Sequence, residues 1–157
     1  MIKFVRSFFK NLKDKLEYIK NIFHINYGWD ISSTFHITKV YIKAYNQDED
    51  SFIVVESNDD LKRQYMIPRS NIVFPLTQQD KESIEAITNV PFIQNGYCIK
   101  NDNDAKKEIV ECKIIGLIEN QYLLVEYIDP YLDMALAISY DRSYKILKIK
   151  EFMVRKN

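Results

Sequence analysis

The stretch SFIVVE, residues 51–56, decides the fold, because the chain repeats its pattern as QYLLVE at residues 121–126. Each run follows another strand-like segment and an acidic or amide-rich turn, and each precedes a third strand-like segment. Short apolar runs bounded by turn residues predict β-strands. The repeated order predicts a duplicated small β unit, with Phe52 and Tyr122 at equivalent core-facing positions.

The segments around these runs complete a mainly β prediction. Alternating or continuous apolar residues predict further strands at 34–42, 63–67, 72–74, 97–99, 109–118, 134–139 and 145–154. Helix is the alternative for residues 132–138, whose Leu, Met and Ala residues favour it. Between the two β blocks, Thr77 followed by Asp80 resembles a helix start, and Pro75 and Pro91 bracket the stretch. This predicts a short linking helix.

The N-terminal segment predicts an amphipathic helix over residues 3–24, ended at Asn26-Tyr27-Gly28. Its apolar residues step by three and four along one face: Val5, Phe8, Leu12, Leu16, Ile19 and Phe23. Such a helix either packs on the β core or binds a membrane surface or a partner groove. Asp14 and Glu17 dilute the basic face, which favours packing.

Composition excludes several classes of protein. With 157 residues, 46% of them hydrophobic, the chain can bury a core. Its 22 basic and 22 acidic residues cancel, so the whole chain lacks the positive excess that general nucleic-acid binding needs. Lysines interrupt any N-terminal signal, and no run approaches the ~20 apolar residues of a membrane span. A cytoplasmic location is expected, and the high Ile, Lys, Asn and Tyr content suggests a bacterial or mobile-element origin.

The residues able to do covalent or metal chemistry are few and scattered. Two histidines, His24 and His36, and two cysteines, Cys98 and Cys112, lack the close pairs that zinc sites use and the base that a nucleophile needs. Only three glycines are present, and no two are close enough to form a phosphate-binding loop. The sequence therefore predicts no catalytic residue, no metal site and no cofactor, with both thiols reduced and buried.

The second block resembles the Tudor-type branch of SH3-like small barrels. The resemblance rests on residues in the order of that family: Gly96, Cys98, Ile114-Ile115-Gly116, Tyr122 to Asp129, and Ala137-Ile138. It implies barrels of about five strands that bind peptides, modified side chains, nucleic acid or proteins without catalysis. An aromatic cage of that type would draw on these tyrosines: Tyr97, Tyr122, Tyr127, Tyr131 and Tyr140.

The predicted architecture has four parts: an N-terminal helix (1–26), a first small SH3-like β-barrel (27–75), a linker helix (76–91) and a second barrel (92–157). The expected function is non-catalytic protein binding, as an adaptor or an inhibitor or immunity-type protein. The predicted contact residues flank turns of the second block: Tyr127, Tyr131 and Tyr140.

Two alternative functions stay open at this point. The first is a nucleic-acid-binding module that uses the barrel strands and the basic face of the N-terminal helix. That face carries Lys3, Arg6, Lys10 and Lys13. The second is an uncharacterised enzyme.

Overall fold

The structure is a computed structural model that describes residues 26–34, 36–101, 107–128 and 143–155. Within these ranges the protein is mainly β, with two antiparallel sheets and one α-helix. The predicted N-terminal helix and the strand predicted at 134–139 lie outside the described residues. The division into separate domains stays a prediction.

The first sheet contains five strands in the order β4-β3-β2-β1-β5. Their bounds are β1 Tyr27–Asp30, β2 Thr38–Asn46, β3 Ser51–Glu56, β4 Gln64–Pro68 and β5 Ile72–Val73. A short 3₁₀ helix, Arg69–Asn71, joins β4 to β5 and brings the chain back to β1. The polar turn predicted after Asn46 and the strand end predicted at Pro68 are confirmed.

The single α-helix of the described residues, α1, spans Gln78–Thr88 and links the two sheets. The second sheet has the order β6-β7-β8-β9. Its bounds are β6 Asn95–Asn101, β7 Lys107–Ile118, β8 Tyr122–Tyr127 and β9 Tyr144–Lys148. A second 3₁₀ helix, Ile149–Glu151, interrupts the strand that the sequence predicted to run to Val154. Met153, just beyond it, pairs with Tyr97 on β6.

The two sheets repeat one pattern of pairing, so the duplication is present in the backbone. In each sheet a glycine of the first strand pairs with a residue of the second strand, as shown by the pairs Gly28↔Val40 and Gly96↔Cys112. Two residues beyond that pair the second strand has a bulge, which follows Ile42 in β2 and Ile114 in β7. In each, a 3₁₀ helix leads back to the first strand, as shown by the pairs Trp29↔Val73 and Tyr97↔Met153. Within the described residues no strand pairing joins β4 to β5 or β6 to β9, so closed barrels are not found.

The strand pairing aligns residues 51–56 with residues 121–126 differently from the sequence, by one residue. The residues paired just before each bulge are Val54 and Val125. This register makes Phe52 equivalent to Leu123 rather than to Tyr122. Both are buried, at 2% and 1% exposure, whereas Tyr122 is half-buried. The prediction that Tyr122 matches Phe52 is therefore wrong, because a shift of one residue moves a side chain to the other face of a strand.

Gly28 and Gly96 have the same structural role, which differs from the one the sequence suggested. Gly28 is predicted to end a helix, yet it lies inside a strand, as Gly96 does, and neither has a positive φ. A Cβ on Gly28 would lie 2.8 Å from the Val73 carbonyl oxygen, and one on Gly96 would lie 2.4 Å from the Met153 carbonyl oxygen. Because backbone cannot yield easily, both positions require glycine for close strand contact.

The described residues form three hydrophobic core clusters, and the membership of these clusters shows how the sheets are arranged. One lies wholly within residues 40–74, around Phe52 and Val54. Another lies wholly within residues 76–152, around Leu123 and Val125. Each sheet thus encloses its own cluster on what we term its inner face.

The third cluster, here called the inter-sheet cluster, joins the outer faces of the two sheets. Trp29, Ile37 and Val73 from the first half pack against Ile115 and Leu124 from the second. Trp29 is 6% exposed, and its rings meet those of Tyr27 and Tyr144 edge-on, at centroid distances of 5.7 and 6.3 Å. The only tryptophan of the chain therefore marks the contact between the two sheets.

Candidate functional site

The helix α1 is fixed at both ends by local hydrogen bonds. The Thr77 hydroxyl oxygen accepts a bond from the Asp80 amide at 3.1 Å, and the Asp80 carboxylate accepts one from the Thr77 amide at 3.0 Å. This reciprocal capping box confirms the predicted helix start. At the other end Asn89 adopts a left-handed conformation, with φ of 57°, and its amide bonds the Glu85 carbonyl.

The segment after α1 is held against the helix by bonds to its side chains. The Glu85 carboxylate accepts a hydrogen bond from the Phe92 amide at 2.9 Å. The Lys81 ammonium lies 5.7 Å from the centre of the Phe92 ring, and the Thr88 hydroxyl donates to the Val90 carbonyl at 3.4 Å. Residues 89–93 are thereby fixed in place although they form no regular structure.

Between this segment and the second sheet lies an apolar cleft of about 370 Å³. Ile84, buried at 5% exposure, anchors α1 on the inner cluster of the sheet. The buried side chains Ile114 and Leu123 contribute to the deep part of the cleft, and Ile149 and Phe152 line it from the 3₁₀ helix and the residue after it. A Cβ on Gly96 would lie 2.4 Å from the Phe152 ring. The glycine therefore leaves space for this ring, which forms one wall of the cleft.

Large hydrophobic side chains remain exposed around this cleft. Ile87, Val90, Ile93 and Val154 line it and are 47%, 50%, 46% and 42% exposed. Among the described residues that line it, Lys150 is the only charged one, and its side chain is exposed. Apolar side chains gathered around a concave site, with one charged group for orientation, are typical of binding sites.

The tyrosines singled out from the sequence do not gather around this cleft. Tyr127 is 9% exposed and belongs to the inner cluster of the second sheet, so the prediction that it lies exposed beside a turn is wrong for this residue. Tyr131 and Tyr140 lie outside the described residues, and their part in binding stays a prediction.

Two of the tyrosines proposed for an aromatic cage, Tyr97 and Tyr127, lie on opposite faces of the second sheet. Tyr127 pairs with Cys112 and shares the inner face with Cys98, whereas Tyr97 precedes Cys98 and therefore lies on the outer face. Tyr97 and Tyr127 are thus on opposite sides of the same sheet. Their rings cannot converge on one cation.

Cys98 and Cys112 are buried side by side in the β6–β7 hairpin, at 1% and 0% exposure. The hydrogen bond with Cys98, together with burial, raises the pKa of the Cys112 thiol. His36 is exposed on the other half of the chain, and His24 lies outside the described residues. No group of three or more possible metal ligands occurs in the described ranges.

We expect both thiols to be unreactive in the folded protein, because each is buried at 1% exposure or less and a reagent cannot reach it. An aromatic disulfide reagent at neutral pH should modify them slowly in buffer and rapidly in denaturant. Fast modification of one thiol in the folded chain would contradict this result and would identify a nucleophile.

A polar depression at the edge of the first sheet is a weaker candidate. It is lined by Glu49, Asp50, Pro68, Arg69 and Ser70. The Arg69 guanidinium lies 3.1 Å from the Asp50 carboxylate, which also accepts a hydrogen bond from the Tyr45 hydroxyl. Burial and this bond to Asp50 raise the pKa of Tyr45 to about 12. The polar groups therefore bond one another and brace the turn.

No family model matches the sequence, and no curated protein matches it. Within the described ranges no helix is both long enough and apolar enough to cross a membrane.

Proposed function

We propose that the protein is a non-catalytic protein-binding module that takes apolar side chains of a partner segment into the cleft beside α1. The observation that supports this most strongly is the exposure of four large aliphatic side chains around one concave site. Such exposure is unfavourable in water unless a partner covers it. This site replaces the tyrosine patch as the proposed contact.

The finer fold that we propose is a pair of SH3-like units placed side by side. Support comes from the strand order of the first sheet, from the 3₁₀ helix that leads back to the first strand in both halves, and from the separate inner cluster of each half. Folds of this kind serve mainly as binding platforms, which agrees with the proposed function.

The chemistry of the cleft defines the partner segment. Its aliphatic walls fit two or three apolar side chains, and Lys150 fits a carboxylate beside them. A segment that combines apolar residues with an acidic one matches both features. A purely basic segment would meet the Lys150 ammonium and would be disfavoured.

We expect short random peptides displayed on phage and selected on the full chain to be enriched in apolar residues with a neighbouring Asp or Glu. Ile93→Asp places a carboxylate at the apolar rim and should weaken the selected peptides by about tenfold or more, or ~1.4 kcal/mol. Lys150→Glu should weaken the acidic peptides specifically. Titration calorimetry measures both effects.

Two matched variants control this experiment. Leu61→Asp changes a residue that is 74% exposed on the first half, and Lys148→Glu reverses a neighbouring exposed charge that does not line the cleft. Both should leave affinity unchanged. Peptides that bind Ile93→Asp as tightly as the parent would overturn the proposed function.

The nucleic-acid alternative depends on the basic face of the N-terminal helix, which lies outside the described residues. It stays a prediction, and the salt dependence of binding would test it, since each neutralised phosphate contributes about one unit of slope.

A further inference from the structure

The contact between the two sheets uses two different outer surfaces, one from each half. The first half contributes the surface beside β1 and β5: Tyr27, Trp29, Ile31, Ile37 and Val73. The second half contributes the surface over β7, β8 and β9: Ile115, Ile118, Leu124, Tyr144 and Ile146. We name these the donor face and the acceptor face. Because the two halves have the same strand pattern, the second half also has a surface equivalent to the donor face, and the first half has one equivalent to the acceptor face.

The second half has a donor-type face that takes no part in the three clusters formed by the described residues. When the strand registers of the two halves are matched, Trp29, Ile31, Ile37 and Val73 of the first half correspond to four residues of the second half. These are, in the same order, Tyr97, Ile99, Ile109 and Met153. All four are apolar or aromatic, whereas the position that corresponds to Tyr27 holds Asn95. Ile99 is 37% exposed, and the other three are half-buried.

The first half has an acceptor-type face with an apolar centre. Leu124 and Ile146 of the second half correspond to Ile53 and Met66, and Met66 is 44% exposed. Tyr41, next to them on β2, is 40% exposed. The other three positions of this face, which surround the centre, hold polar residues in the first half: Lys43, Asn46 and Gln64. An apolar centre with a polar rim is the anatomy of a reversible protein interface.

The two open faces include charged residues of opposite sign. Lys43 is exposed on the acceptor-type face of the first half. Glu111, which is exposed, lies on the donor-type face of the second half, where it pairs with Tyr97. Opposite charges on paired rims steer association and fix its register.

We propose that a second copy of this chain docks on the first by repeating the internal contact between chains. The donor-type face around Ile99 of one copy covers the acceptor-type face around Met66 of the next. This contact is head-to-tail, so each added copy leaves one open face at each end. Such association extends into a ring or a filament instead of stopping at a two-fold dimer. The surface is distinct from the cleft of the proposed function.

Two single variants block opposite ends of this contact. Met66→Glu and Ile99→Glu each place a carboxylate at the centre of one face, and both sites are exposed, so the fold tolerates them. In sedimentation velocity the parent chain should grow in mass with concentration, and each variant alone should remain a monomer. An equimolar mixture of the two should form a heterodimer and no larger species, because each variant retains the face that the other needs.

Charge reversal gives a second readout. Lys43→Glu should weaken self-association about tenfold, and Glu111→Lys in the same chain should restore it. Leu61→Asp, off both faces, should associate like the parent. The proposal is overturned if the parent stays monomeric at millimolar concentration, if both glutamate variants still associate, or if only Ile99→Glu has an effect, which indicates a two-fold dimer.

Discussion

Trp29→Ala should lower the free energy of unfolding by about 3–5 kcal/mol, the usual cost of removing a large buried aromatic side chain. Trp29 is 6% exposed and lies in the cluster that joins the two sheets. Its removal leaves a cavity bordered by both halves of the chain. Urea denaturation followed by circular dichroism measures the loss, since the variant has no tryptophan to report fluorescence.

Trp29→Phe serves as the matched variant. The indole Nε1 is buried near the Tyr144 hydroxyl but makes no hydrogen bond of acceptable geometry within the described residues. Replacing Trp with Phe keeps most of the apolar volume and removes this unsatisfied donor, so it should cost much less than Ala. A Trp29→Ala chain as stable as the parent would show that the inter-sheet cluster does not hold the halves together.

Leu123→Ala should cost about 2–5 kcal/mol, and Tyr122→Ala at the neighbouring position clearly less, about 1 kcal/mol. Leu123 is 1% exposed in the inner cluster, whereas Tyr122 is half-buried. Phe52→Ala, at the position equivalent to Leu123, should cost about 3–5 kcal/mol. Urea denaturation followed by Trp29 fluorescence measures all three changes in the free energy of unfolding. A change for Tyr122→Ala as large as that for Leu123→Ala would indicate that Tyr122, and not Leu123, corresponds to Phe52.

The sequence was sufficient to predict the strand-rich fold, the linking helix and the duplication, because these depend on local signals. Alternation, turn residues and the capping box at Thr77 all act over a few residues. It was insufficient for the register of the duplication, because the equivalent residues, Val54 and Val125, are identified only by their pairing just before the bulges in β2 and β7. A bulge has no distinctive residue pattern here.

The strand β1 was missed for a related reason. Four residues are too few to show alternation, and Gly28 was taken as the end of a helix. Its close contact with the Val73 carbonyl is set by a strand 45 residues further along the chain, which no local pattern reveals.

The cleft could not be predicted from local sequence patterns, although some of its apolar residues stand out in the sequence. Val90 and Ile93 are apolar residues on both sides of Pro91, in a segment too short and too irregular to be a strand. Their common site with Val154 depends on how α1 packs on the second sheet. The tyrosines attracted attention instead because of their number, and the structure buries Tyr127 in the core.

Methyl NMR of the full chain, titrated with a phage-selected peptide, tests the proposed function most directly. Binding in the cleft predicts shifts at the methyl groups of Ile87, Val90, Ile93 and Val154 at the peptide concentration that saturates calorimetric binding. Shifts confined to Ile53 or Ile99, or a saturating peptide that leaves all four cleft residues unmoved, would contradict it.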